Sequence, residues 1–162
     1  AVHGQTAVAD QLVVSRLDPA ALVLGIVDYT RWPGQDRTLL ICGSRGGQHS
    51  ERLAPSPSQP PSARRPSVRL VEPDDVPPAE CDVIVFEGWS DGPMANALRA
   101  VGHRPTLTVG FGAAFCSDGG MVCFSAEPAG WTFEVNTDTV ARSGLRINPR
   151  VLHLTRSRQR AS

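Results

Sequence analysis

The chain has 162 residues, 41% of them apolar, and its sixteen basic residues balance sixteen acidic ones. A length of this order fits one domain with an ordinary core and excludes disorder throughout. Zero net charge excludes the strongly positive field that a general nucleic-acid or membrane-surface binder needs.

All sixteen bases are Arg, which together with abundant Ala, Pro and Gly reads as the codon bias of a GC-rich genome. No stretch reaches the roughly 18–20 consecutive apolar residues of a spanning helix, and the N-terminus lacks a charged segment followed by an apolar one. If the protein is exported, the expectation is that this is its mature form, with the signal peptide removed.

From Gln5 to Thr30 the residues Val8, Leu12, Val13, Leu17, Ala20, Ala21, Leu24 and Val27 recur at three- and four-residue intervals, which predicts a helical N-terminal arm over 1–33. Asp18-Pro19 divides it into one helix ending near Leu17 and a second starting at Pro19, since Asp caps well and Pro suits a first turn. Trp32-Pro33-Gly34 ends the second helix. Thr38 to Cys42 reads as a short buried strand and Gly43 to Gly47 as a polar turn. Pro55 to Pro66, rich in Pro and Ser, reads as an exposed loop.

Val68–Val71 and Val83–Phe86 predict two further strands, and Met94–Val101 a helix entered through Ser90-Asp91-Gly92-Pro93. Thr106–Val109, Met121–Ser125 and Trp131–Val135 complete six strands, the last two joined by a turn at Glu127-Pro128-Ala129-Gly130. Helical segments over Thr137–Ser143 and Pro149–Thr155 close the chain. The expected fold is a single α/β domain over 1–162, a mixed sheet of about six strands flanked by helices, with a terminal β-hairpin carrying a disulfide.

There are four cysteines. If Gly119-Gly120 is the two-residue turn of a hairpin, Cys116 lies opposite Cys123 within reach of a disulfide. Cys42 and Cys81 each sit at the end of an apolar run, so two neighbouring strands could bring them together. Structural disulfides, zinc and thiol redox catalysis are the three chemistries open to such a set. Zinc wants close ligand pairs, but these spacings are long and His3, His49, His103 and His153 are scattered. A thioredoxin-like site wants C-x-x-C at a helix N-terminus, which neither pair supplies. An even count with plausible partners favours two bridges.

Other motifs fall short of chemistry. Gly43-Ser44-Arg45-Gly46-Gly47 follows a strand but lacks the phosphate-loop lysine, and Gly110-Phe111-Gly112 lacks the third glycine of a dinucleotide fingerprint. Gly88-Trp89-Ser90-Asp91-Gly92 misses the nucleophile elbow in frame and residue type. Glu87, Asp91, Asp118 and Glu134 could supply paired carboxylates, though solvated surface explains them better. No catalytic residue, metal or cofactor is expected.

Four tracts of the C-terminal part form a pattern: Gly119-Gly120-Met121-Val122-Cys123-Phe124, Phe133-Glu134-Val135-Asn136, Ala141-Arg142-Ser143-Gly144-Leu145-Arg146-Ile147 and Val151-Leu152-His153-Leu154. With Gly25-Ile26-Val27-Asp28-Tyr29-Thr30-Arg31-Trp32-Pro33 near the start, they resemble the YfiR family of bacterial periplasmic proteins. The four-cysteine arrangement looks like the member after which that family is named. The resemblance implies a periplasmic α/β repressor, not an enzyme, that binds the periplasmic sensor domain of an inner-membrane diguanylate cyclase and restrains cyclic-di-GMP synthesis and biofilm formation. It implies an antagonist, an OmpA-like peptidoglycan-binding outer-membrane lipoprotein, a homodimer, redox sensitivity through the disulfides, and the pairings Cys42 with Cys81 and Cys116 with Cys123. The Pro/Ser-rich segment departs from the family pattern, which leaves residues 44–66 without assigned contacts.

Strand alternation puts Trp131, Phe133 and Val135 on one face and Thr132, Glu134 and Asn136 on the other. Asp138 and Arg142, four apart on a helix, can pair, leaving Arg146 to meet an acid on a partner. The expected partner-binding set is Glu134, Arg142 and Arg146, with Ser117 on the hairpin and Arg31 beside Trp32, a mixture of Arg and aromatic residues of the kind that supplies hot spots. The rival readings are a small-ligand-binding module of a sensing or transport system and a secreted thiol oxidoreductase.

Overall fold

In the computed structural model, residues 14–34, 36–54 and 65–155 are described. Helix α1 (Pro19–Asp28) begins where the sequence predicts: Asp18 is its N-cap, accepting from Ala21 N at 2.9 Å, and Pro19 opens the first turn. The helix stops at Asp28, earlier than Trp32-Pro33-Gly34, because Thr30–Arg31 form a two-residue strand, β1. The predicted first helix falls mostly on residues 1–13, outside those described. Its expected end near Leu17 is corrected, since Ser15 instead makes an antiparallel bridge to Trp131, with N–H···O bonds of 2.7 and 3.0 Å.

Six strands form the main sheet: β2 (Leu40–Ser44), β3 (Ser67–Val71), β4 (Val83–Val85), β5 (Leu107–Phe111), β6 (Val122–Glu127) and β7 (Gly130–Val135), in the order β3-β2-β4-β5-β6-β7. The first five are parallel to their neighbours; β7 returns antiparallel to β6 through the Glu127–Gly130 turn. The mixed α/β sheet matches the expectation. Most of the predicted Pro55–Pro66 loop lies outside the described residues.

Short apolar runs form the central strands because a parallel sheet buries both faces. Val83 and Val85 join one core with Ile41, Leu107, Val109 and α1. Ile84 and Phe86 face a second core with Ala97 and Val101 of α3 (Asp91–Val101) and Phe115 of α4 (Ala113–Ser117). Helix α2 (Gln48–Glu51) is a single turn that sequence pattern did not predict. Helix α5 (Thr137–Ser143), strand β8 (Arg146–Ile147) and the 3₁₀ turn Pro149–Leu152 close the first core, with β8 antiparallel to β1.

Both disulfides form with the expected pairing, Cα–Cα 5.8 Å for Cys42–Cys81 and 5.7 Å for Cys116–Cys123. The expected hairpin geometry at Gly119-Gly120 is corrected: Cys116 lies on α4 and Cys123 on β6, so the bond ties helix to strand. The reason is Phe115. A Cβ on Gly110 would stand 2.5 Å from its ring and one on Gly120 2.1 Å away, so the two glycines let the ring nest against the backbone and fix the turn as helical.

Candidate functional site

In an open α/β sheet the strand order reverses at a topological switch point, here between β2 and β4, where ligands ordinarily bind beyond the carboxyl ends. This crevice is filled by the protein's own groups. Fully buried Ser44 donates through Oγ to Val85 O at 2.7 Å and accepts from Glu87 N at 3.1 Å and Trp89 Nε1 at 2.8 Å. The Glu87 carboxylate occupies the start of α2, accepting from His49 N at 3.0 Å, and from Ser50 N and Ser50 Oγ at 2.9 and 3.0 Å. A Cβ on Gly47 would stand 2.4 Å from Glu87 Oε1. The position where a phosphate loop would hold its anion is thus taken by an internal carboxylate. Gly43 and Ser44 belong to β2, and only Arg45-Gly46 turn, Gly47 being the extended N-cap of α2.

The opposite edge is open. A groove of about 770 Å³ runs between β7, α5, β8 and the 3₁₀ turn, lined by Phe133, Val135, Val140, Leu145, Ile147 and Val151 among others. Asn136 anchors one side. Its Oδ1 caps α5 by accepting from Thr139 N at 3.2 Å, while its Nδ2 donates to Cys116 O at 3.0 Å. Asn148 builds the other, its N–H donating to Tyr29 O at 2.8 Å and its Oδ1 accepting from Arg150 N at 2.8 Å.

The groove collects two of the five expected residues. Glu134 and Arg146 line it, and Arg142 follows the lining residue Ala141. Arg142 reaches Thr139 Oγ1 at 3.5 Å rather than the expected Asp138. Arg31 stands directly opposite Arg146 in the β1–β8 register, two exposed like charges side by side. Ser117 lies on α4 instead of a hairpin, its Oγ donating to Ala113 O at 3.4 Å. It adjoins Cys116, whose Sγ lies 3.9 Å from Glu134 O; a disulfide sulfur has no proton to give, so this is packing contact rather than a hydrogen bond. The apolar lining Val140, Leu145, Val151 and Leu152 was missed as a site. Its signal was apolar residues alternating with Arg142, Arg146 and Arg150 in a segment that otherwise reads as a charged tail.

Among the described residues no group of three or more His, Cys, Asp or Glu is placed to hold a metal, and no helix is long and apolar enough to cross a membrane.

The fold and its groove define a class: a disulfide-braced, doubly wound α/β domain with its nucleotide-type crevice plugged and an open groove at the antiparallel edge. A family described as YfiR/HmsC-like matches residues 19–156, and the chain belongs to that family. Its members are periplasmic regulators.

Proposed function

We propose that this chain is a periplasmic negative regulator whose groove binds the periplasmic sensor domain of an inner-membrane diguanylate cyclase and holds cyclic-di-GMP synthesis low. In this reading it is not an enzyme, it self-associates as a homodimer, and an OmpA-like peptidoglycan-binding lipoprotein relieves it by sequestration. The four-cysteine arrangement supports a place near the member that names the family, and the partly exposed Cys116–Cys123 bond beside Glu134 supports redox sensitivity. The observation that carries the reading, beside family membership, is the groove itself, an apolar floor bordered by Glu134 and Arg146.

The test is binding of the purified sensor domain to the native chain and to Glu134→Ala, Arg142→Ala and Arg146→Ala. Binding should weaken roughly tenfold or more while the melting temperature stays put. A lowered melting temperature with unchanged binding would assign these side chains to the fold instead.

A second reading has one observation in its favour. The groove volume falls within the roughly 300–1,000 Å³ of small-molecule sites. Ligand-induced thermal shift of the free protein, absent when Val140→Trp fills the groove, would support it.

A further inference from the structure

Strand β7 is a sheet edge on which a further strand has been started. Trp131 exchanges both backbone bonds with Ser15, at 2.7 and 3.0 Å, in a single antiparallel rung outside the named strands. The rung is closely built. A Cβ on Gly130 would stand 2.2 Å from Ser15 O, so the glycine is what lets the two backbones approach there. Val14 and Ser15 are buried, and Ser15 Oγ accepts from Leu17 N at 3.0 Å, turning the chain from the rung toward α1.

The register of that rung fixes what can follow it. Antiparallel pairs that exchange both bonds recur at every second residue, so Val13 falls opposite Phe133 and Gln11 opposite Val135. On its inner side β7 meets β6 through Thr132 and Glu134, a series that Asn136 N continues to Met121 O at 2.7 Å. The N–H and C=O groups of Phe133 and Val135 therefore point away from the sheet. β7 is the last strand, and past Ser15 no described strand meets those groups. A row of such groups is a template for another strand.

The groove lies where that strand would run. Phe133, Glu134 and Val135 line it in succession; because successive side chains point to opposite faces, a cavity touching all three runs beside the strand rather than over one face. Going back from Ser15, an antiparallel chain travels from Trp131 toward Val135 and into the groove. Extended, Ser15 to Gln11 spans about 13 Å, as does Trp131 to Val135. We infer that Gln11-Leu12-Val13, which precede the described residues, prolong the Ser15 rung along β7 and occupy that side of the groove, with Val13 beside Phe133. The inference stands on the bridge and its register. Its regulatory consequence rests on the reading proposed above: a sensor domain that uses the groove must displace the arm, which is then a built-in competitor.

The experiment is amide hydrogen exchange of the full chain, read by NMR over a concentration series, for the native protein and three proline variants. Proline at 13 or 11 puts its ring where a donor should face β7, whereas proline at 12 replaces a donor that faces away. The Phe133 and Val135 amides of the native protein should exchange about tenfold more slowly than those of Val13→Pro, and Leu12→Pro should stay close to native. Gln11→Pro should release Val135 more than Phe133. Circular dichroism should be the same for all four. Native amides that exchange as fast as those of Val13→Pro would overturn the inference, and so would a Leu12→Pro protein that opens them equally. Protection that rises with concentration would give the strand to a neighbouring copy and overturn it as well. Sensor-domain binding separates the two proposals. An arm seated about nine-tenths of the time lowers apparent affinity about tenfold, so Val13→Pro should bind that much more tightly. Unchanged affinity alongside released amides would uphold the arm and remove the groove as the sensor-domain site.

Discussion

Two ends of one sheet have opposite fates. At the switch point between β2 and β4, Ser44 Oγ ties together Val85 O, Glu87 N and Trp89 Nε1, and the Glu87 carboxylate is held by His49 N and Ser50. At the β7 edge, α5, β8 and the 3₁₀ turn stand apart around an apolar groove. The sheet resembles a nucleotide-binding scaffold in topology, yet its polar chemistry at the usual crevice has turned inward to stability, and the open groove lies at the antiparallel edge. Substitutions at the first end should therefore unfold the protein, and substitutions at the second should change what it binds.

The largest effect belongs to the Cys42–Cys81 bond, which closes a 39-residue separation behind the filled crevice. Replacing both cysteines by Ala should cost about 4 kcal/mol by the loop-entropy argument, read as a lower denaturant midpoint. An unchanged midpoint would remove that bond from the stable end of the comparison. Ser44→Ala comes next, because it strands Trp89 Nε1 and two backbone groups in a buried place. It should cost roughly 2–3 kcal/mol and leave partner binding per folded molecule unaltered.

Asp18 gives a smaller, pH-dependent effect. Its bond from Ala21 N, with help from Arg52 3.0 Å away, holds its carboxyl below the ordinary carboxylate value of 3.8. The folded state thus prefers the ionised form; the gain is full above the unfolded pKa and lost as pH falls through the lower folded one. Asp18→Ala should cost about 1 kcal/mol at pH 7. Thermal melts should show the gap from the native protein narrowing as the medium is acidified below pH 4, whereas a gap constant down to pH 2 would mean that the charge contributes nothing. The smallest stability change is expected at the groove: Glu134→Ala and Arg146→Ala should shift stability by less than about 0.5 kcal/mol.

Legibility followed the range of the forces. β2 and β4 could be read as apolar runs too short for helices, and α1 and α3 through their Asp18 and Ser90 starts. Elements set by distant contacts could not. Cys116 is helical because Gly110 and Gly120 admit the Phe115 ring, a packing that nothing near residue 116 announces. The single turn α2 forms against Glu87, 36 residues beyond its end. The two-residue strands β1 and β8 depend on each other across most of the chain. The candidate site was legible as charges, Glu134 and Arg146, while its apolar floor assembles only when β7, α5 and β8 converge.

Gly25 sits on α1 where any side chain would collide with Leu154, a Cβ there lying 3.0 Å from Leu154 Cδ2. The opening helix and the closing turn are thereby in contact. A bulky side chain there would push the closing turn off the helix, so two stretches 129 residues apart in sequence pack as one unit.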